Sequence, residues 1–95
     1  MLVENIISFI GTGEKLKAGE VSESLFWLLV ELSSLRSEKT IRALNDFLVL
    51  GYTRKEVCEK YHLSGGNFSV ALRRITHVDG IARLVATYYN SKETE

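Results

Sequence analysis

The sequence lacks several features that mark other classes of protein. It contains one cysteine, Cys58, so no disulfide can form within the chain, and a cytoplasmic location is the simpler interpretation. The apolar run LFWLLVEL at 25–32 is far shorter than the ~20 residues that a membrane-spanning helix needs. The N-terminal stretch has Glu4 where a secretory signal peptide has lysine or arginine. We therefore expect a cytoplasmic protein with no membrane segment.

The chain also lacks an excess of either charge, because twelve lysines and arginines balance twelve aspartates and glutamates. This balance excludes a simple polycation that coats nucleic acid with its whole surface. The charges are unevenly distributed, however. Residues 53–76 carry five basic side chains and two acidic ones. The sequence therefore predicts one local basic surface, as in a protein that contacts a polyanion with a single patch.

The length of 95 residues indicates one domain, and the apolar spacing indicates helices. We predict an all-α fold of four to five helices. Residues 1–20 are assigned to an N-terminal segment and linker, of which 1–12 could be a short helix or a strand. Residues 21–90 form the helical domain, and residues 91–95 form a flexible tail.

A strongly apolar helix is predicted over residues 25–35. Its apolar side chains cover nearly the whole circumference, which is more than one packing face requires. Two interpretations are open at this point. The helix is either the centre of the core, or it is buried on one side by its own domain and on the other by a second copy of the chain. In the second case Phe26, Trp27 and Val30 are the candidates for the outer side.

A further helix is predicted to begin after the capping residue Ser37 and to end before Gly51. Asp46 is expected on its polar outer side. Its apolar stripe consists of Ile41, Leu44, Phe47 and Leu48.

A shorter helix is predicted to begin at Thr53, because Thr53 and Glu56 have the spacing of a capping box. It is expected to end near His62, since histidine is one of the few residue types other than glycine that is enriched at positive φ. The side chains expected to face the core are Val57, Cys58 and Tyr61.

The last part of the chain is predicted to form two helices, from about residue 65 to 76 and from about 79 to 89. The first would bury Phe68, Leu72 and Ile75. The second has an apolar side made of Ile81, Leu84, Val85 and Tyr88.

A short capped helix, a turn of about four residues and a second amphipathic helix form a helix-turn-helix pattern. Gly65 and Gly66 would let backbone amides approach a phosphate at the N-terminus of the second helix. Arg54 is placed to contact the DNA backbone, Asn67 to pair with adenine, and Arg73 to meet guanine or phosphate. The predicted DNA-contacting residues are Arg54, Lys55, Lys60, Ser64, Gly65, Gly66, Asn67, Ser69, Val70, Arg73, Arg74 and His77. A surface helical hairpin with ordinary solvated charges is the alternative.

Catalytic and metal chemistry have little support in the sequence. Cys58, His62 and His77 lack a fourth zinc ligand. A Cys58–His62 nucleophilic pair would lie one helical turn apart with no oxyanion site. We therefore expect no enzymatic activity, no metal, no cofactor and no small-molecule substrate.

The stretch RALNDFLVLGYTRKEVCEKYHLSGGNFSVALRRI, residues 42–75, resembles the PapB-type adhesin biosynthesis transcription regulators of enterobacterial fimbrial operons. The string RKEVCEKY at 54–61 carries most of this resemblance, which extends more loosely from about residue 24 to 89. The resemblance implies a small cytoplasmic, nucleoid-associated regulator of adhesin genes that binds double-stranded DNA and acts as a homo-oligomer. The main alternative is a protein-interaction adaptor that uses the apolar helix at 25–35.

Overall fold

The computed structural model describes residues 16–93, and this range contains four helices and no strand. The helices are α1 (Glu23–Ser33), α2 (Glu38–Leu48), α3 (Arg54–Lys60) and α4 (Gly65–Glu93). The prediction of an all-α fold is confirmed. The helix or strand considered for residues 1–12 lies outside the described residues, as do the last two residues of the predicted tail.

Side-chain caps begin α2 and α3 where the sequence predicted them. Ser37 Oγ accepts a hydrogen bond from the backbone N–H of Thr40 at 3.3 Å. At α3 the capping box is complete, because Glu56 N donates to Thr53 Oγ1 at 3.1 Å and Thr53 N donates to Glu56 Oε1 at 2.8 Å. The hydrogen bond from the Thr53 backbone lowers the pKa of Glu56 below its ordinary value. These caps fix where α2 and α3 start.

The C-terminal half of the chain forms one helix instead of the two that were predicted. α4 has 29 residues, which corresponds to about 43 Å at roughly 1.5 Å per residue. The expected break at 77–78 was wrong, because neither residue is glycine or proline and nothing there disrupts helical hydrogen bonding. The inward packing also continues past the expected break, with Asp79 buried and Val78 and Ala82 against the core.

The core lies between α1, α2 and the first half of α4, and α3 closes one end of it. The fully buried large side chains are Phe26, Leu29, Leu44, Leu48, Val57, Phe68 and Ile75. The expectation that Phe26 and Val30 lie on the outer side of the first helix was wrong. They are 0% and 8% exposed because α2 and α4 both pack against that side of α1. Only Trp27 of the three is exposed, at 45%.

Asp46 is buried, although the sequence predicted it on the outer side of α2. Its Oδ2 accepts a hydrogen bond from Tyr61 Oη at 2.8 Å and one from Lys60 Nζ at 3.1 Å. The end of α3 therefore covers a polar residue of α2, which the spacing within α2 alone could not reveal. Burial, followed by the hydrogen bond to Asp46, raises the pKa of Tyr61, and the hydrogen bond to Asp46 raises that of Lys60.

The loop before α1 packs on the end of α2 and on the loop that joins α2 to α3. Gly19 N donates to Phe47 O at 3.0 Å, and Val21 N donates to Leu48 O at 3.1 Å. Gly19 and Gly51 both have positive φ, +72° and +86°. A Cβ atom on Gly19 would lie 3.1 Å from Gly51 Cα, so this backbone crossing requires glycine.

Candidate nucleic-acid interface

A tight turn joins α3 to α4. His62 has φ 55°, as the sequence predicted for the end of the short helix. Leu63 N donates to Cys58 O at 2.9 Å, and Ser64 Oγ then caps α4 by accepting from Asn67 N at 3.0 Å. The two helices are therefore held in a fixed geometry at the surface of the molecule.

The inward side of the α3–α4 pair is partly as predicted. Val57 is fully buried, whereas Cys58 and Tyr61 are only half-buried and pack against the edge of the core. Cys58 and Tyr61 therefore face the core as expected but remain partly exposed, because α3 is short and lies at the end of the core. No group of three or more residues that could hold a metal ion occurs within residues 16–93.

Arg54 is held against the first half of α4. Its Nη2 donates a hydrogen bond to Ser69 Oγ, and its guanidinium lies 5.3 Å from the centre of the Phe68 ring. An arginine above an aromatic face gains a cation–π attraction while its remaining N–H groups stay available. Arg54 and α4 therefore present one joint surface.

The outward side of the first half of α4 is exposed in the way the helical spacing predicted. Its exposed residues are Gly66, Asn67, Val70, Arg73, Arg74 and His77, with Ser69 half-buried beside Arg54. Neither Gly65 nor Gly66 has positive φ, and a Cβ atom on Gly65 would meet nothing within 4 Å. The fold of the described residues therefore does not require glycine at Gly65 or Gly66.

Two grooves flank this surface. The first, called the α3–α4 groove, has a volume of about 270 Å³, and Arg54, Ser69 and Arg73 are among its lining residues. The second, called the α2–α4 groove, has a volume of about 510 Å³ and lies where the start of α2 faces α4. Both grooves therefore contain arginine side chains beside the exposed side of α4.

The remaining predicted lysines differ in their surroundings. Lys55 is exposed on the first turn of α3. Lys60 Nζ is bound to Asp46 and lies 5.5 Å and 5.2 Å from the ring centres of Tyr52 and Tyr61. The structure therefore does not bring Lys60 together with Arg54 and the α4 surface; its ammonium group joins α3 to α2 instead.

The sequence prediction missed Arg36 and Lys39, which line the α2–α4 groove beside Asn67 and Arg74. These two residues lie before and within the first turn of α2, outside the α3–α4 pair. Only the packing of α2 against α4 brings them to this surface. No spacing within the sequence indicated it.

The fold and this surface define a small all-helical protein with a basic two-helix unit at its surface. A family model of the adhesin biosynthesis transcription regulatory proteins, named PapB, matches residues 2–89. The chain belongs to this family. The family is one of regulators and not of enzymes, and within the described residues no helix is long and apolar enough to span a membrane.

Individual relatives are similar over most of the chain. The chain is 42% identical over 76 residues to the major pilus subunit operon regulatory protein PapB of Escherichia coli, covering 80% of this chain and 73% of that protein. It is 48% identical over 73 residues to the F1845 adhesin operon regulatory protein of Escherichia coli, covering 76% and 86%. A crystal structure of Escherichia coli FocB superposes with a TM-score of 0.78 at 37% identity, covering 92% of this chain and 98% of that one.

Proposed function

We propose that this protein is a sequence-preferring, DNA-binding transcription regulator of fimbrial or adhesin genes, acting in the cytoplasm on nucleoid DNA. The α3–α4 pair serves as a helix-turn-helix, with α4 as the recognition helix. The observation that carries this proposal is the position of Arg54, which is fixed against Ser69 on α4. Beside it lies the exposed side of α4, which begins with two glycines and carries two arginines. The regulatory names of the relatives support the same function.

The proposed contacts follow from the chemistry of each group. Gly65 and Gly66 leave the first turn of α4 open, so a phosphate can approach backbone N–H groups at the positive end of the helix dipole. Arg54 contacts the backbone phosphate, which positions the protein on the duplex. Asn67 lies in the same first turn and is a candidate for a base contact. Arg73 lies about two turns further along the exposed side and is a candidate for contact with guanine or phosphate.

We also propose that the functional unit is a homo-oligomer. Leu28 and Leu32 of α1 are 62% and 64% exposed, and with Leu25 they recur at spacings of three and four on one side of the helix. The chain has zero net charge and few long side chains on its reading surface, so one protomer should bind DNA weakly. Joining copies through this side of α1 would combine several weak contacts and raise the affinity by about 10²–10⁴.

Footprinting tests the DNA-binding proposal. The purified protein is incubated with a duplex containing the region upstream of its own gene, and protection from nuclease is mapped. Wild-type protein should protect a discrete segment, and Arg73→Ala should lose that protection at the same concentration. Arg42→Ala is the control, because Arg42 lies on α2 and pairs with Glu38 at 2.7 Å. Absence of any protected segment with folded wild-type protein would contradict the proposal.

Sedimentation tests the oligomer. Leu32→Glu should shift the wild-type assembly toward the monomer and remove cooperative binding to duplexes with repeated sites. Leu50→Glu is the matched control, because Leu50 is an exposed leucine in the loop after α2. If wild-type protein is monomeric at micromolar concentration, the exposed side of α1 does not bind a second copy. The adaptor function then becomes the better explanation of that surface.

A further inference from the structure

The α2–α4 groove combines basic side chains from two separate parts of the chain. Arg36 and Lys39 come from the start of α2, and Arg74 comes from the third turn of α4, on its exposed side. Lys39 Nζ reaches across to the turn before α4, where it donates a hydrogen bond to His62 O at 3.4 Å. The groove is therefore basic on the α2 side as well as on the α4 side.

Among the described residues, no acidic side chain lines this groove. Glu38 is the nearest acidic residue in sequence, but its carboxylate pairs with Arg42 on the adjacent side of α2 at 2.7 Å. Within residues 16–93, no carboxylate pairs with Arg36, Lys39 or Arg74. Three uncompensated cations around a concave surface produce a local positive potential that favours a polyanion.

The position of the groove indicates which polyanion it would meet. Asn67, Val70 and Arg74 line the groove and also belong to the exposed side of α4 that we assign to DNA. A duplex lying along that side of α4 would run past the mouth of the groove. One of its strands would then bring phosphate groups toward Arg36 and Lys39.

We propose that the α2–α4 groove is a second backbone-binding surface for the same duplex, in which Arg36 and Lys39 contact phosphates outside the helix-turn-helix. This inference rests on the proposed DNA-binding function. Phosphate contacts carry no sequence information and fix the orientation of the protein on DNA. The groove would therefore strengthen binding to every duplex and would not alter sequence preference.

The test is the salt dependence of duplex binding by Arg36→Ala and Lys39→Ala. Each variant should reduce the slope of log K against log salt by about 0.9, and it should weaken binding to specific and unrelated duplexes by a similar factor. Arg42→Ala is the control on the same helix and should keep the wild-type slope. Arg36→Lys and Lys39→Arg keep the charge and should restore the slope, which separates a phosphate contact from a structural role.

The outcomes distinguish this inference from the proposed function. If Arg36→Ala and Lys39→Ala keep the wild-type slope and affinity while Arg54→Ala and Arg73→Ala lose binding, the groove does not contact DNA and the helix-turn-helix proposal stands. If all four variants bind like wild type, both ideas fail. A reduced slope with an unchanged melting temperature supports the groove.

Discussion

Arg54, the first residue of α3, donates a hydrogen bond to Ser69 on α4, so a cation of the shorter helix is fixed on the longer one. The same guanidinium lies above the ring of buried Phe68, 5.3 Å from its centre. A planar guanidinium can lie over the ring and donate to Ser69 at the same time, which the compact ammonium group of lysine fits less well. The two helices therefore form one surface whose basic group is already oriented before DNA binds.

Replacing Arg54 by lysine tests whether this orientation matters. Arg54→Lys keeps the charge but loses the Nη2 hydrogen bond to Ser69 and the guanidinium contact with Phe68, so DNA binding should weaken by roughly tenfold, equivalent to about 1.4 kcal/mol. The slope of affinity against salt should remain close to that of wild type, because the cation is still present. Equal affinity of Arg54→Lys and wild type in a fluorescence titration would show that charge alone is sufficient there.

Substitution of a glycine at the start of α4 should affect the stability of the fold and the affinity for DNA in opposite directions. Gly66→Ala should stabilise the fold by about 0.5 kcal/mol, because alanine favours a helix and the described structure has room for the methyl group. It should also weaken DNA binding, since the methyl group would hinder the approach of a phosphate to the backbone. Urea unfolding and a duplex titration measure the two effects. Unchanged affinity would remove Gly66 from the interface.

At the Gly19–Gly51 crossing, unlike at Gly66, we expect an alanine to lower the stability of the fold. Gly19→Ala should destabilise the fold by about 1–2 kcal/mol, because φ is +72° and the new Cβ would lie 3.1 Å from Gly51 Cα. Gly65→Ala is the matched control and should cost nothing, since that Cβ would meet nothing within 4 Å. Equal unfolding midpoints for Gly19→Ala and wild type would show that the two loops do not cross this closely.

The hydrogen bond from Tyr61 to Asp46 predicts a dependence on alkaline pH. Tyr61→Phe should destabilise the fold at pH 7 by about 1–2 kcal/mol, because buried Asp46 loses a donor. In wild type the pKa of Tyr61 is raised above 10.0 in the folded state, so its contribution is fully present below about pH 10 and lost as the pH rises through the folded pKa. Tyr61→Phe should therefore lack the part of the loss of stability at alkaline pH that comes from Tyr61.

Thermal unfolding between pH 7 and pH 11 measures the prediction for Tyr61. Lys60 remains in the variant, and its raised pKa contributes an alkaline loss of the same sign above 10.5. Part of the rise in the pKa of Lys60 comes from Tyr61 itself, so the difference between wild type and Tyr61→Phe measures the tyrosine together with its effect on Lys60. Identical stability at pH 7 together with identical pH profiles would exclude the Tyr61–Asp46 hydrogen bond.

Local signals in the sequence predicted local structure well. The Thr53–Glu56 capping box, the cap at Ser37 and the positive φ of His62 depend on a few adjacent residues, and the structure shows all three. The helical spacing of Phe68 and Ile75 likewise identified the buried side of the first half of α4.

Features that depend on tertiary packing could not be predicted from local signals in the sequence. Asp46 is polar and lies opposite the apolar stripe of α2, yet the end of α3 covers it. The continuous α4 leaves Ile81, Val85 and Tyr88 exposed, although their apolar spacing indicated a packed helix. Arg36 and Lys39 join the candidate site only because α2 packs against α4.

The most direct test of DNA binding by the α3–α4 pair is the salt dependence of duplex affinity for wild type, Arg54→Ala and Arg73→Ala. We expect wild-type affinity to fall steeply as salt rises, with each variant reducing the slope by about 0.9 for the phosphate contact it loses. Arg73→Ala should keep the wild-type melting temperature, because Arg73 is exposed, whereas Arg54→Ala should lower it slightly, because its contacts with Ser69 and Phe68 are lost. The three proteins are therefore compared at a temperature at which all of them are folded. A wild-type affinity that does not change with salt, or slopes unaffected by both substitutions, would contradict DNA binding through this surface.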